Sequence, residues 1–347
     1  MKKIIDFIHV GDYKTGTTWL QKLVFPFHPN LNFLGDYFTN IKLESVFWEL
    51  VDARDLDFDA TKLRNKFLKN VKYIKGKKIG LSREALSASN YISGENAKRN
   101  ALRIKEVFGN TKIIYVIREQ YSMIETLFNE YVKAGGTQSF KDWFLDPISC
   151  RFLLERLQYH KNVEMYYQIF GKKNVLVLTY DQLQTDPKFF LKEIFKFIGC
   201  KITEYYPDSA KERLNTKLSS FGIFFARFMN NFFRNYHHNN KANFLPLDKI
   251  VRFFIPSSLK KQLLRYSVET VNPSYGKIDE EQRLLYSLNR AFLNRIRKIS
   301  EKIKIGGSYE ININPNYKKQ IDKLFICSNR KLRDYYKLNI DSEKWKI

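Results

Sequence analysis

The sequence predicts a three-layer α/β protein with a central parallel sheet, helices on both faces and a mostly helical C-terminal extension. Short apolar segments alternate with amphipathic segments over the first 200 residues, which is typical of strands that alternate with helices. After about residue 205 the sequence shows no further convincing strand. We therefore expect a single domain over 1–347, with an α/β core over 1–200 and a helical extension over 201–347.

The composition favours a folded protein with anionic partners. Hydrophobic residues make up 44% of the 347 residues, which is enough for a sizeable core. Sixty Lys and Arg residues against 36 Asp and Glu residues give a formal charge of +24. This charge suits a nucleotide, a sulfated or phosphorylated acceptor, nucleic acid or an acidic membrane. A general compositional bias would give the same charge, so the charge alone does not select a ligand.

The cysteines and the termini indicate the compartment. Three scattered cysteines without a CxxC spacing argue against a disulfide framework or a zinc site and fit a reducing cytosol. The chain enters a strand within a few residues, which leaves no room for a signal peptide. The sequence has no run of about 18 apolar residues, so no transmembrane helix is expected. These features predict a cytoplasmic protein.

The first strand and the loop after it predict an anion site. Apolar residues over 4–10 predict a strand, a polar loop with Gly11 and Gly16 follows, and a helix begins after the loop. This order directs backbone N–H groups and the positive end of a helix dipole at one point. The glycine spacing matches that of a Walker A loop in a P-loop-like fold. However, Thr17 occupies the lysine position, and the lysine stands earlier, at Lys14.

The later elements follow the same alternation. The segment over 111–117 is continuously apolar, as expected for a strand that helices cover on both faces. Asp186 is predicted to cap a helix whose first residue is Pro187. Strands are predicted over 77–82, 111–117 and 174–180, and helices within 41–70 and over 94–108, 121–133, 150–170 and 187–199.

The ends of the predicted strands locate a common site. Ligands of open parallel sheets bind beyond the carboxyl ends of the strands. Gly11, Arg118 and Tyr180 each follow a predicted strand, as do residues 82–84. We therefore expect these four positions to converge on one ligand.

Three motifs in this region resemble those of sulfotransferases that use 3′-phosphoadenosine-5′-phosphosulfate (PAPS). Lys-Thr-Gly-Thr-Thr-Trp at 14–19 resembles the family's 5′-phosphosulfate loop. Arg118 at a strand end, with Thr126 eight residues later, is similar to its 3′-phosphate element, where the family usually has serine at the second position. Tyr180-Asp181, followed by the helix up to Gly199, resembles a third segment. The motifs occur in the family's order over residues 4–200.

The resemblance implies a site for PAPS, with 3′,5′-adenosine diphosphate (PAP) as the product and no metal. A cation at the bridging oxygen stabilises the charge that develops there in sulfuryl transfer, and Lys14 is the candidate. Backbone N–H groups and hydroxyls of the loop would hold the 5′-phosphate. The residues that the resemblance assigns to the donor are Lys14, Thr15, Gly16, Thr17, Thr18, Trp19, Arg118, Thr126 and Tyr180.

Each assignment has a structural alternative. The loop over 14–18 could be only a turn, and a tryptophan in a first helical turn, as at Trp19, is also a common core residue. Arg118 could form a strand-end ion pair with Glu119 or Glu125. Tyr180 could be a packed tyrosine at the end of its strand. The tertiary structure is needed to distinguish each assignment from its alternative.

The acceptor requires a base, and Glu84 is the candidate. Members of the family use a histidine or a glutamate beyond the strand between the two phosphate motifs, and Glu84 follows the corresponding strand. No histidine occurs between His28 and His160. His9 lies inside the first strand and is interpreted as a core residue. A surface carboxylate paired with Arg83 is the alternative for Glu84.

The distal third carries weaker signals. An aromatic stripe within 221–236 predicts core packing or an oligomer interface; a basic amphipathic helix on a membrane is the alternative. Asn329-Arg330-Lys331 resembles the C-terminal basic segment that contacts the 3′-phosphate in cytosolic members, without its glycine. The stripe consists of Phe221, Phe225, Phe228, Phe232 and Tyr236.

The predicted function is sulfuryl transfer from PAPS to a hydroxyl or amine of an acceptor, with a carbohydrate or glycan favoured. A P-loop small-molecule kinase or NTPase is the first alternative, and Thr17 in the Walker lysine position disfavours it. A polyanion- or nucleic-acid-binding protein is the second, supported only by the charge. A nucleic-acid partner is not expected, and the sequence does not determine the oligomeric state.

Overall fold

The computed structural model describes residues 4–35, 41–87, 96–201, 217–231, 294–295, 297–303, 305–307, 309 and 311–347. Its centre is a five-stranded, wholly parallel sheet with the order β2-β3-β1-β4-β5. The strands are β1 (Phe7–His9), β2 (Leu31–Phe33), β3 (Lys78–Ser82), β4 (Lys112–Ile117) and β5 (Val175–Thr179). The predicted parallel sheet is therefore confirmed.

The order of the strands places β1 in the middle of the sheet. Phe7 stands opposite Gly80 of β3 on one side and opposite Lys112 of β4 on the other. Because all strands are parallel, the loop after β1 emerges between the carboxyl ends of β3 and β4. This is the edge on which the sequence analysis expects the ligand.

The helices alternate with these strands, as predicted. The chain continues from a short helix α1 (Thr17–Trp19) into a π-helical turn (Leu20–Val24) and a 3₁₀ turn (Phe25–Phe27). The other helices are α2 (Ile41–Asp52), α3 (Ala60–Asn70), α4 (Ala97–Phe108), α5 (Gln120–Lys133), α6 (Phe140–Phe144), α7 (Pro147–Arg156), α8 (Tyr159–Phe170), α9 (Tyr180–Thr185), α10 (Pro187–Ile198), α11 (Ser220–Asn230) and α12 (Pro315–Asp334).

Helices cover both faces of the sheet, and the side chains of β4 show this directly. Ile114 and Val116 belong to a buried cluster with Ile194 of α10. Between them, Tyr115 points to the opposite face, where its ring lies 5.3 Å from the ring of Tyr166 on α8. Successive strand residues face opposite sides, so a strand buried on both faces is apolar throughout. Burying each large apolar side chain contributes about 1.5–3 kcal/mol to stability.

Local capping sets where α9 and α10 begin. The Asp186 side chain accepts a hydrogen bond from the Phe189 N–H at 2.9 Å, and Pro187 is the first helical residue, as predicted. Thr179 and Gln182 form a capping box that starts α9. The strand prediction over 174–180 is therefore one residue too long at each end, because Asn174 ends a 3₁₀ turn and the cap at Thr179 makes Tyr180 the first residue of a helix.

The sequence analysis misses β2, the short helices α6 and α9 and one helix boundary. β2 has only three residues at the sheet edge and follows Pro29, which masks its apolar alternation. The helix predicted over 150–170 is two helices, α7 and α8, separated at Leu157 and Gln158. The Asn162 side chain donates to the carbonyl of Arg156 at 3.2 Å and so satisfies a group at the end of α7.

The contacts within the chain define two compact units. One comprises Met1–Met123, Asp146–Leu214 and Ile313–Ile347 and contains the sheet. The other comprises Ile124–Leu145 and Asn215–Asn312. The single domain with a core over 1–200 and an extension over 201–347 remains a prediction.

Helix α11, in the second unit, exposes part of the predicted aromatic stripe. Its buried face consists of Gly222, Ile223, Ala226 and Asn230. In contrast, Phe221 and Phe228 are 43% and 54% exposed, so core packing is wrong for these two rings. Phe232 and Tyr236 lie outside the described residues. The oligomer interface and the membrane contact remain predictions.

Candidate anion-binding site

The loop between β1 and α1 has an unusual backbone. Gly16 has φ 86°, and Lys14 has φ 61°, a left-handed conformation that few residues other than glycine adopt. A side chain at Gly16 would overlap Leu183, so both space and backbone require glycine there. A non-glycine residue in this conformation is strained, and such strain concentrates at functional sites. The loop thus holds Lys14 in a costly conformation.

Asp12 organises the loop from within. Its carboxylate accepts a hydrogen bond from the Tyr13 N–H at 2.8 Å. Its carbonyl accepts hydrogen bonds from the hydroxyls of Thr15 at 2.6 Å and Thr17 at 3.5 Å. These two buried hydroxyls therefore bond inside the loop.

The helix start supplies donors for an anion. Gly16 is the N-cap of α1, and Thr17 and Thr18 are its first two residues. N–H groups in a first helical turn have no acceptor within the helix, and the helix dipole favours negative charge there. α1 continues without a break into the π-helical turn Leu20–Val24. This arrangement suits a phosphate or sulfate group.

Arg118, directly after β4, reaches the loop. Its Nη1 donates to the carbonyl oxygen of Lys14 at 3.0 Å. Its Nε and Nη2 donate to the hydroxyl of Ser122 on α5 at 3.0 and 2.8 Å. The sequence analysis names Thr126 and misses Ser122. An arginine four residues before a serine at a helix start could have indicated this contact. Thr126 is buried one turn further along α5.

The acidic neighbours of Arg118 have other partners. The Glu119 carboxylate accepts hydrogen bonds from the N–H groups of Tyr121 and Ser122 at 2.8 and 2.7 Å, which caps α5. Burial raises the pKa of this carboxyl, although the two N–H groups oppose the shift. Glu125 pairs with Lys217 at 2.8 Å. Each of the two carboxylates considered as ion-pair partners of Arg118 thus has a defined role of its own.

Tyr180 lies between Arg118 and the loop. The guanidinium carbon of Arg118 is 4.7 Å from the centre of the Tyr180 ring, a cation–π geometry. The ring also borders the position that a side chain at Gly16 would occupy. The ends of β1, β4 and β5 therefore meet at one place, as the parallel sheet predicts.

Trp19 is part of the core. It is 8% exposed and belongs to the buried cluster that contains Phe7, Leu20 and Val24. This position matches the alternative considered for it, a core residue in the first helical turn. Its predicted stacking on adenine remains a prediction.

Glu84 stands at the end of β3, in a 3₁₀ turn (Glu84–Leu86). Its charge acts on Tyr13 of the loop: burial raises the pKa of the Tyr13 hydroxyl, and Glu84 raises it further. The neighbouring Arg83 guanidinium lies 4.8 Å from the ring of Trp48. The charge of Glu84 therefore acts on the loop that carries Lys14.

The first two histidines of the sequence, His9 and His28, are buried in the core. His9 is fully buried, and its Nδ1 lies 2.7 Å from the Ser82 hydroxyl in a hydrogen bond. Burial lowers the pKa of His9 to about 3, which keeps the ring neutral. The ring of His28 lies 4.2 Å from that of Phe195. His9 is a core histidine, as the sequence analysis expects.

The C-terminal basic segment is held through its asparagine. Asn329 is fully buried, and its Oδ1 accepts a hydrogen bond from the Gln120 amide at 2.6 Å. Gln120 is the first residue of α5, two positions after Arg118. Arg330 and Lys331 are exposed on α12. Their predicted contact with a 3′-phosphate remains a prediction.

The donor groups at this edge of the sheet suit an anionic ligand. The Arg118 guanidinium donates to the Lys14 carbonyl, and the first N–H groups of α1 follow in the same loop. Among the described residues, no group of three or more His, Cys, Asp or Glu side chains is arranged to hold a metal ion. No helix in the described part of the chain combines the length and hydropathy of a membrane span.

The sequence matches a known family over most of its length. A family model described as a sulfotransferase domain matches residues 5–253. The curated protein cytosolic sulfotransferase 8 of Arabidopsis thaliana is 26% identical over 208 residues, which cover 59% of this chain and 57% of that protein. The chain therefore spans less than two thirds of the length of this relative.

Solved structures of similar proteins give weaker matches. A sulfotransferase from Alicyclobacillus acidocaldarius is 16% identical, with a TM-score of 0.46, over 62% of this chain and 87% of that one. Mouse sulfotransferase SULT7A1, complexed with PAP, is 14% identical, with a TM-score of 0.37, over 97% and 90%.

Proposed function

The chain belongs to the sulfotransferase domain family, and on that premise we propose that it transfers a sulfuryl group from PAPS to an acceptor hydroxyl or amine. One observation supports this proposal above the others. The Arg118 guanidinium donates to the backbone carbonyl of Lys14, so the two phosphate motifs are joined at the carboxyl edge of the sheet. A donor with phosphate at both its 5′ and 3′ positions needs cations at two places in one site.

The proposed donor site divides between two groups of residues. The N–H groups of Gly16, Thr17 and Thr18 would hold the 5′-phosphate, since they stand at the positive end of a helix. Arg118 would hold the 3′-phosphate, because a planar guanidinium can donate two parallel hydrogen bonds to it. Ser122 keeps the Arg118 fork in place.

Four further residues complete the proposed donor site. Thr126 would add a hydroxyl to the 3′-phosphate, one helical turn beyond Ser122. Tyr180, whose ring lies against Arg118, would contact the adenine, with Trp19 as the stacking partner. Thr15 would contribute its N–H group, since its hydroxyl bonds to the Asp12 carbonyl. The proposed product is PAP, and the proposed reaction needs no metal.

The transfer step assigns opposite roles to Lys14 and Glu84. The acceptor oxygen forms a bond to sulfur while the bond between sulfur and the phosphate oxygen breaks. Lys14 would stabilise the negative charge that grows on that oxygen, an interaction stronger in the transition state than in the ground state. Glu84 would accept the proton that the acceptor hydroxyl loses. Glu84 acts electrostatically on Tyr13, next to Lys14, which favours this pairing of roles.

We propose a carbohydrate or glycan as the acceptor and a cytoplasmic location. The formal charge of +24 suits an anionic glycan. The name of the Arabidopsis relative favours the cytosol. Peripheral membrane contact through 221–236 is a subsidiary proposal, supported by the exposed rings of Phe221 and Phe228.

The rival functions predict different ligands. A P-loop kinase or NTPase would bind ATP·Mg²⁺, but Thr17 stands where its lysine belongs. A polyanion-binding protein would bind nucleic acid in a strongly salt-dependent way without turnover. Thermal-shift measurements with PAP, with ATP·Mg²⁺ and with EDTA separate the transferase from the kinase or NTPase, and nucleic-acid binding at two salt concentrations tests the polyanion-binding function.

We expect PAP to raise the melting temperature and EDTA to leave this shift unchanged. A large shift with ATP·Mg²⁺ and none with PAP would contradict the proposal. Screening carbohydrate, lipid-linked and aromatic acceptors with radiolabelled PAPS then tests transfer and identifies the acceptor class. Labelling confined to non-carbohydrate acceptors would keep the transferase and reject the glycan.

A further inference from the structure

A buried ion pair lies beneath the loop that carries Lys14. The guanidinium of Arg156, the last residue of α7, donates to the carboxylate of Asp12. The two side chains are only 5% and 1% exposed. Removing two charges from water is unfavourable, and only close pairing with further hydrogen bonds offsets this cost. We therefore expect this pair to have a role besides stability.

Asp12 extends the pair into the backbone of the loop. Its carboxylate also accepts the Tyr13 N–H, the residue before Lys14. Its carbonyl accepts the hydroxyl of Thr15, the residue after Lys14. Its own N–H donates to the Val116 carbonyl of β4 at 3.3 Å, which anchors it to the sheet. Asp12 thus holds both neighbours of Lys14.

Arg156 also contacts the loop directly, through Tyr13. Its guanidinium carbon lies 5.5 Å from the centre of the Tyr13 ring, in addition to its pairing with Asp12. Around the pair, Tyr115, Tyr159 and Tyr166 are almost fully buried. In this low-dielectric surrounding the attraction between the two charges is strong, and either charge alone would be costly.

Lys14 itself adopts the left-handed conformation with φ 61°. Such a conformation persists only when the surroundings enforce it. Three hydrogen bonds do so here. The Asp12 carboxylate accepts from the Tyr13 N–H, and the Asp12 carbonyl accepts from the Thr15 hydroxyl. Arg118 donates to the carbonyl of Lys14 itself. The Arg156 charge is what makes a buried carboxylate at residue 12 tolerable.

We propose that the Asp12–Arg156 ion pair is a positioning device that fixes the strained backbone of Lys14 and thereby aims its ammonium group at the reacting oxygen. The inference rests on the role proposed for Lys14. Neither Asp12 nor Arg156 needs to touch the donor for this purpose. Weakening the pair should therefore affect turnover more than donor binding.

The test compares Asp12→Asn, Arg156→Gln and the double variant with the wild type. We expect each single variant to lower kcat by about tenfold to a hundredfold, since a small misplacement of a reacting group has effects of this size. The fold-increase in the PAP dissociation constant should be at least about tenfold smaller than the fold-decrease in kcat, because the first N–H groups of α1 remain in place. The double variant, which leaves no uncompensated charge, should recover part of kcat.

Glu155→Gln is the matched control. Glu155 pairs with Arg151 at 3.2 Å on the same helix, but these side chains are 49% and 77% exposed. Exposed pairs contribute little, so this variant should keep the wild-type kcat. If Asp12→Asn does not fold, Arg156→Lys replaces it, because lysine keeps the charge and loses the fork.

Hydrogen exchange of the Tyr13–Thr15 amides gives a readout that does not depend on turnover. Faster exchange in the single variants, with kcat per PAP-binding site reduced, supports the positioning role. A lower melting temperature with unchanged kcat per binding site would overturn it, and so would unchanged exchange. If the wild type transfers no sulfuryl group to any acceptor, the proposed function fails, and the exchange data still decide whether the pair restrains the loop.

Discussion

Arg118 Nη1 donates to the carbonyl oxygen of Lys14 at 3.0 Å, across 104 positions of the sequence. This hydrogen bond links the arginine proposed for the 3′-phosphate to the backbone of the lysine proposed for the transfer step. The two motifs are therefore mechanically connected as well as close. A change at Arg118 should consequently reach the reacting end of the site.

Lys14→Ala tests the transfer step. We expect kcat to fall by at least about a hundredfold, equivalent to about 3 kcal/mol, because the developing charge loses its cation. PAP binding should fall much less, since the N–H groups at the helix start remain. Steady-state kinetics with radiolabelled PAPS and calorimetric titration with PAP measure the two quantities. Lys22→Ala, at an exposed position in the following turn, is the control; a wild-type rate in Lys14→Ala would remove Lys14 from the mechanism.

Arg118→Ala should mainly weaken donor binding. Hydrogen bonds to charged groups contribute about 1.5–3 kcal/mol, so the PAP dissociation constant should rise by about tenfold to a hundredfold. A smaller fall in kcat should accompany it, because the Lys14 carbonyl loses its donor. Arg151→Ala, at a 77% exposed side chain, should leave both values unchanged. Unaltered PAP affinity in Arg118→Ala would exclude it from the donor site.

Ser122→Ala and Thr126→Ala compare the hydroxyl found in the structure with the one that the family motif assigns. Ser122 accepts from both Nε and Nη2 of Arg118, so its loss should release the guanidinium. We expect a rise of about threefold to tenfold in the PAP dissociation constant for Ser122→Ala, the range of one ordinary hydrogen bond. If only Thr126→Ala weakens binding, the motif is the better guide. Calorimetry at one salt concentration suffices for the comparison.

Glu84→Gln tests the proposed base. The substitution keeps the size of the side chain and removes its ability to accept a proton. We expect kcat to fall by about a hundredfold or more, as for a general base, while PAP affinity is retained. Glu106→Gln, an exposed glutamate on α4, is the control. A normal rate in Glu84→Gln would send the search for the base elsewhere.

The buried His9 should make the stability of the protein depend on pH. Burial lowers its pKa to about 3, whereas an unfolded histidine titrates near 6.5. Between these values the unfolded chain binds the extra proton, so the free energy of unfolding falls as pH decreases through this window. The contribution of His9 amounts to about 2 kcal/mol between pH 7 and pH 5.

Urea unfolding of His9→Gln at pH 7 and pH 5 measures this contribution. The variant should show a smaller pH difference than the wild type, whatever its absolute stability. Val10→Ala, a truncation of a fully buried neighbour, should lower the free energy of unfolding equally at both pH values. An unchanged pH difference in His9→Gln would show that His9 titrates normally.

Local patterns were enough to predict most of the fold. The continuous apolar run of β4 and the cap at Asp186 are determined by residues close in sequence, and both stand where expected. β2 was missed because three residues at a sheet edge have no recognisable period. The exposed rings of Phe221 and Phe228 show the same limit: helical spacing predicts a stripe but not which side of it is buried.

From the sequence alone we could predict the family, the glycine-containing loop after β1 and the order of elements that brings the strand ends together. These features follow from short-range patterns: glycine spacing, a helix start and alternating segments. The fold was needed to show that Ser122 supports Arg118 and that Thr15 and Thr17 bond inside the loop. Only it paired Asp12 with Arg156, 144 positions away. Such contacts join side chains that are distant in the sequence, and chain folding alone decides which charge meets which partner.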